Sequence, residues 1–224
     1  MKYEDFIHMS VAGDGSCFFH SLSQILILEG NPLPFTSSKN RTTLSNKLRK
    51  ECVGWLEDNL EYRIKGIGLT IKDEIEEEIR TNNKLKSVDD YLNYMRKRTS
   101  YAGQIEIYAM AHLFNRNIRV YIRNKGKFSN VGLGYQINNK MDLMKDIFIY
   151  HNMGTTLSPG LHHFEPLYPK VKARKESLKK KETKKRPSKK KKSTQKRSRK
   201  PLKEKRTKRQ IKTKRQRERK TRRK

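Results

Sequence analysis

Cys17 stands where a turn, Gly13-Asp14-Gly15-Ser16, gives way to an apolar run with helical spacing. A thiol in the first turn of a helix meets free backbone N–H groups and the positive end of the helix dipole, and both favour thiolate. The glycines let the backbone pass close to a substrate carbonyl, so the amides around Gly15 to Cys17 could face a developing oxyanion. The same pattern also suits an ordinary turn followed by a small buried residue, because free cysteine is commonly buried. Cys52, mid-helix near Trp55 with no such turn beside it, has only that second reading. A nucleophilic cysteine needs a base that is distant in sequence and near in space. Of the six histidines, His8, His112 and His151 read as structural and His20 as a surface residue one turn after Cys17. His162 and His163 lie in "SPGLHHFEPLYP", after a turn signal and at the start of an apolar strand.

The elements that must position these groups follow from periodicity. Ser16 to Leu28 reads as a helix with Phe18, Leu22, Ile25 and Leu26 on one face. "GNPLP" (30–34) ends it. Helices are predicted over 38–60, 70–80 and 87–97, the last opened by Ser87 with Asp90 three residues on. A further helix runs from Gly103 to Phe114. Strands are predicted at 118–122, 146–152 and 162–168, with Pro166 placing the end of the last at an edge or bulge. Helices come first and strands late, which makes the class α/β (α+β) with a small sheet.

Charge divides the chain. Residues 171–224 hold 31 of the 54 Lys/Arg and 4 of the 23 Asp/Glu, so the basic excess belongs to a tail rather than to the fold. That tail has almost no apolar residue and is predicted to be disordered. Residues 1–170 carry nearly all the apolar side chains, enough for one mid-sized core. Two cysteines make neither a disulfide framework nor a four-cysteine zinc site. The N-terminus lacks the apolar stretch of a signal peptide, and no run approaches the roughly 18 residues of a membrane span. A soluble protein of a reducing, intracellular compartment, cytoplasmic or nuclear, is expected.

Three segments together resemble the OTU family of cysteine deubiquitinases. "GDGSCFFHSLS" is similar to its cysteine box, "YAGQIEIYAMAHLFNRNIRVY" to its aromatic-Gly-Gly-x-x-Glu segment leading into a strand, and "LHHFEPLYP" to its final histidine strand. They occur in the family's order over about 150 residues. The resemblance implies an OTU-like fold, a small central sheet flanked by helices, over residues 1–170. It implies Cys17 as nucleophile and His163, directly before the aromatic Phe164, as general base. His162 would then point to the opposite strand face. Asp14 matches the aspartate of the cysteine box, and the backbone amides of Gly15, Ser16 and Cys17 would form the oxyanion hole. Ser16 replaces the usual Asn, Tyr101 the usual Trp, and Glu165 the usual Asp or Asn that orients the base. The orienting acid is thus Asp14 or Glu165. No metal or cofactor is implied. The compact domain, Tyr101 and the basic tail resemble OTU proteins of large DNA viruses more than animal ones.

The partner so implied is ubiquitin or a polyubiquitin-conjugated protein, whose basic C-terminal tail calls for carboxylates. Asp73, Glu74, Glu76, Glu77 and Glu78 are the densest acidic cluster, readable as a substrate groove or as a solvated helix face. The tail runs 184–192 and 214–224 suit nuclear targeting or sequence-independent contact with nucleic acid phosphates, without aromatics for base stacking. Two other functions fit the same residues: a nucleic-acid-binding protein whose OTU-like domain only binds ubiquitin, and a thiol hydrolase of another ubiquitin-like modifier.

Overall fold

A computed structural model describes residues 2–30, 40–124, 127–137, 140–152, 163–175 and 177. Five helices precede most of the sheet: α1 (Cys17–Glu29), α2 (Arg41–Asp58), α3 (Ile71–Thr81), α4 (Val88–Met95) and α5 (Gln104–Phe114). The strands are β1 (Phe6–His8), β2 (Ile118–Asn124), β3 (Lys127–Tyr135), β4 (Ile147–Asn152) and β5 (His163–Pro169). They form one sheet in the order β1-β5-β4-β2-β3, with β2 and β4 parallel and the other pairs antiparallel. The α/β class therefore holds, and every predicted helix and strand is present to within a few residues. Two strands escaped prediction. β1 has only three residues, too few for alternation to show, and β3 carries glycines at 132 and 134 that blur it.

Local chemistry sets the helix starts. The Asn40 side chain accepts the Thr43 N–H at 3.2 Å, and Ser87 Oγ accepts the Asp90 N–H at 3.1 Å. Thr70 and Asp73 cap each other reciprocally, at 3.1 Å and 2.7 Å. α1 differs: its N-cap, Ser16, makes no side-chain cap bond. The first-turn amides of α1 are thereby left for another use. At its other end Gly30, at φ 62°, stops the helix in the left-handed region.

The strand period of two separates two apolar layers. Ile118, Val120, Ile147, Ile149, Phe164 and Tyr168 face α1, α2 and α5 and join the main core with Phe18, Phe19, Leu22, Leu48 and Leu56. Alternate residues on the other face, Tyr121, Phe148 and Leu167, make a small second core with Phe6, covered by Tyr3 and Tyr150. Phe164 meets Phe18 edge-on at 5.6 Å, which seats β5 on the N-terminal turn of α1. Among the described residues no helix is long and apolar enough to cross a membrane.

The domain extends past its expected end. Disorder was predicted from Val171, yet residues 171–175 are helical and Lys172 is buried. Its Nζ donates to Glu29 Oε1 at 2.8 Å and to the Asp146 carbonyl at 3.2 Å. Arg116 grips the same carboxylate with two bonds, at 2.7 and 2.9 Å. Composition misled because Lys172 buries its aliphatic stem and spends its charge on Glu29. His162 and residues 178–224, including both basic runs, lie outside the described residues.

Burial works against ionisation of Glu29, but Arg116 and Lys172 outweigh it and hold the carboxyl below its ordinary range. A depressed folded value means that the stabilisation exists above the unfolded carboxylate range and is lost as pH falls. Glu29→Gln should lower unfolding free energy at pH 7 by about 1–3 kcal/mol. The difference from wild type should shrink as denaturant titrations are repeated toward pH 3.

Candidate active site

The cysteine turn is held from below by a buried cation. Arg49 on α2, 3 % exposed, donates to the Met95 carbonyl at 2.9 Å, the Ser100 carbonyl at 2.8 Å, the Gly15 carbonyl at 3.1 Å and Ser16 Oγ at 3.1 Å. Its guanidinium lies 4.5 Å over the Phe19 ring. Ser16 Oγ in turn donates to the Arg98 carbonyl at 2.9 Å. The serine that replaces the family's usual Asn therefore ties the turn to the 96–103 loop. Gly15, at φ 79°, is required twice over, because a Cβ would run into the Thr99 backbone.

Asp14 belongs to this same scaffold. Its carboxylate accepts the Ser16 N–H at 3.1 Å and faces His20 Nε2 at 3.2 Å, with Arg98 at 3.8 Å. Despite partial burial, His20 and the Ser16 N–H hold it below the usual carboxylate range. His20 is buried, not the surface residue expected, because its ring turns inward onto Asp14. One of the three expected oxyanion amides, that of Ser16, is already engaged by Asp14, as the Asp-Gly-Ser turn closes on its own side chain. The amides of Gly15 and Cys17 remain.

Cys17 itself is buried and accepts a hydrogen bond from the Phe164 N–H at 3.4 Å, so residues 147 positions apart meet at the sulfur. The expected preference for thiolate is outweighed. Burial pushes the thiol up, the N–H groups of Phe164, Phe18 and Cys17 pull back only in part, and the Asp14 charge adds to the rise. His163 stands on the other face of β5, its Nδ1 edge against Gly13. Its Nε2 is 3.6 Å from Glu165 Oε1. Glu165, and not Asp14, is thus the carboxylate brought to His163. The added reach of Glu is taken up by His8 Nε2, 2.6 Å from Oε2, and Ser10 Oγ, which donates to Oε1 at 3.4 Å.

Glu106 fixes the neighbouring loop. It is fully buried, with Oε2 accepting the Gly103 N–H at 2.7 Å and Oε1 the Tyr91 hydroxyl at 2.7 Å. Burial raises its pKa, and those donors offset the rise only partly. Tyr101, half exposed beside it, opens onto a cleft of about 530 Å³ between α3, α4 and α5. Glu74, Glu77, Glu78, His151 and Phe164 are among the residues of its wall. Asp73 is turned away to cap α3, and Glu76 lies on a different groove.

Three contributors had no role in the sequence reading: Arg49, His8 and Ser10. Arg49 left a trace, since it falls on the apolar face of α2 between Ser45 and Val53. His8 and Ser10 left none, because their partner is 155 or more residues away. Gly15→Ala should destabilise the fold by more than about 1 kcal/mol in denaturant unfolding, through its left-handed φ and the Thr99 collision.

A family model described as OTU-like cysteine protease matches residues 12–163. No curated protein sequence matches the chain. Among solved structures, the Hazara virus OTU bound to ubiquitin is 16% identical, covering 75% of this chain and 84% of its own at a TM-score of 0.48. An OTU deubiquitinase from Wolbachia pipientis wMel is 19% identical, covering 80% of this chain and 97% of its own, also at 0.48. The family match runs from the cysteine turn to the histidine of β5, and the chain belongs to the OTU-like cysteine protease family.

Proposed function

We propose that the protein is a deubiquitinating thiol hydrolase, cleaving isopeptide or peptide bonds at the ubiquitin C-terminus inside the cell. The observation that carries this reading is the Phe164 N–H on Cys17 Sγ, which sets the strand bearing His163 and Glu165 against the cysteine. Cys17 is the nucleophile, His163 the base and Glu165 the acid that orients it. With Nε2 turned to Glu165, Nδ1 of His163 is the nitrogen left for the thiol proton.

Because burial favours the neutral thiol, proton transfer to His163 is coupled to attack rather than completed beforehand. The sulfur adds to the carbonyl of ubiquitin's last glycine, and the amides of Gly15 and Cys17 receive the oxyanion. The imidazolium then gives its proton to the departing lysine amine. A thioester remains, and water activated by the same imidazole cleaves it. Asp14 acts one layer back, by shaping the turn that presents those amides.

The cleft between α3, α4 and α5 suits the basic C-terminal tail of ubiquitin. Its wall holds the carboxylates of Glu74, Glu77 and Glu78 together with Phe164, whose N–H bonds Cys17. The basic tail of the chain supports a second, additive role: phosphate-driven, sequence-independent contact with nucleic acid, steeply weakened by salt. If the domain were only a ubiquitin binder, ubiquitin would associate without reacting.

A ubiquitin probe carrying a C-terminal electrophile should be captured covalently at Cys17 and lost in Cys17→Ala; intact binding without capture would favour the binder instead. Replacing Glu74, Glu77 and Glu78 together by Gln should raise KM about ten-fold with kcat little changed, the signature of uniform binding. In His163→Ala, alkylation of Cys17 should rise only toward alkaline pH, with a midpoint above that of free cysteine, since the N–H groups of Phe164, Phe18 and Cys17 offset burial only in part.

A further inference from the structure

Glu165 is fastened more closely to His8 than to the residue it orients. His8 Nε2 lies 2.6 Å from Oε2, whereas His163 Nε2 lies 3.6 Å from Oε1. The register explains the meeting. β1 pairs antiparallel with β5, His8 opposite Leu167, and the Met9 N–H continues the ladder onto the Pro166 carbonyl at 3.2 Å. His8 and Ser10 therefore share the sheet face of Glu165, one diagonal to it and one opposite. On the other side β4 places Tyr150 opposite Glu165. The His8 ring is held edge-on by Tyr3 at 5.7 Å and Tyr150 at 5.4 Å, and Arg123 lies over the Tyr3 ring at 5.7 Å.

A glutamate has one more rotatable bond than an aspartate or asparagine, so it orients an imidazole poorly unless its second oxygen is tied down. An ionised carboxylate only accepts, so at 2.6 Å His8 is the donor of a charge-assisted hydrogen bond. Resting on the reading of His163 as the base, we propose that His8 is a positioning residue: its imidazole holds Glu165 Oε2 so that Oε1 faces His163, extending the Cys17–His163–Glu165 array by a second histidine from the opposite end of the chain. The groups facing this pair are Ser10, Tyr3, Tyr150, Arg123 and His163 itself.

The test uses the full chain and two readouts. One is alkylation of Cys17 by iodoacetamide, located by mass spectrometry so that the buried Cys52 does not count. The other is hydrolysis of a fluorogenic ubiquitin C-terminal amide. His8→Phe keeps the ring between the tyrosines and removes the donor; His8→Gln keeps a donor. At neutral pH, His8→Phe should slow alkylation and lower kcat by about ten-fold, the rate equivalent of one charge-assisted hydrogen bond, with KM unchanged. His8→Gln should restore most of both. Added to Glu165→Gln, His8→Phe should cost nothing further. Wild-type rates in His8→Phe, equal impairment in His8→Gln, or losses that multiply with Glu165→Gln would each overturn the assignment. Should alkylation depend on His163 while the ubiquitin amide is left uncut, the ubiquitin reading fails, and the alkylation series alone decides the role of His8.

Discussion

The structure around the sulfur depends on a cation that, among the described residues, has no carboxylate hydrogen-bonded to it. Arg49 is buried, and its bonds go to the backbone carbonyls of Gly15, Met95 and Ser100 and to one serine hydroxyl. Burial works against its charge, and Glu106 opposes that effect most strongly. A single rigid fork thus closes carbonyls of two loops and of the end of α4 onto one point. Lysine would offer no such fork. The turn before Cys17 can adopt its left-handed glycine because this plug satisfies the carbonyls left behind. The uncapped start of α1 is the counterpart: the side chain that would have capped it is spent on the clamp, and the helix amides are turned to the thiol.

The sheet adds a division of labour. One face builds the core with α1, α2 and α5, and Phe164 belongs to it. The other carries His163, Glu165 and, from β1 and the residues just after it, His8 and Ser10. Adjacent residues of β5 therefore serve packing and chemistry by turns. Phe164 presses on Phe18 and delivers its amide to the sulfur, while its two neighbours project to the opposite side. This is why an aromatic residue directly follows His163.

Much of this was legible in the sequence. The apolar spacing of α1 and α5, the Ser87 cap and the alternation of "IRVYI" are local signals, and each element formed where its pattern lay. The cysteine turn and the histidine strand were identifiable as motifs, although neither alone said which acid faces His163. The period of two along β5 puts Glu165 on the face of His163, 3.6 Å away, and strand pairing adds His8 and Ser10 from the N-terminal segment. Lys172 and His20 were misjudged for one reason: composition counts a charge or a ring as exposed until its partner is known, and Glu29 and Asp14 are those partners.

β1 has a consequence for how the protein matures. Its three residues pair only with β5, the last strand to be synthesised, so the first and last strands close the sheet edge together. A nascent chain that has already made α1 and Cys17 lacks the Phe164 amide, His163 and Glu165 until β5 has emerged. Such non-local pairings are the slow part of folding. A chain truncated or stalled before β5 therefore carries the Cys17 thiol without the Phe164 amide, His163 and Glu165 that the finished fold brings to it.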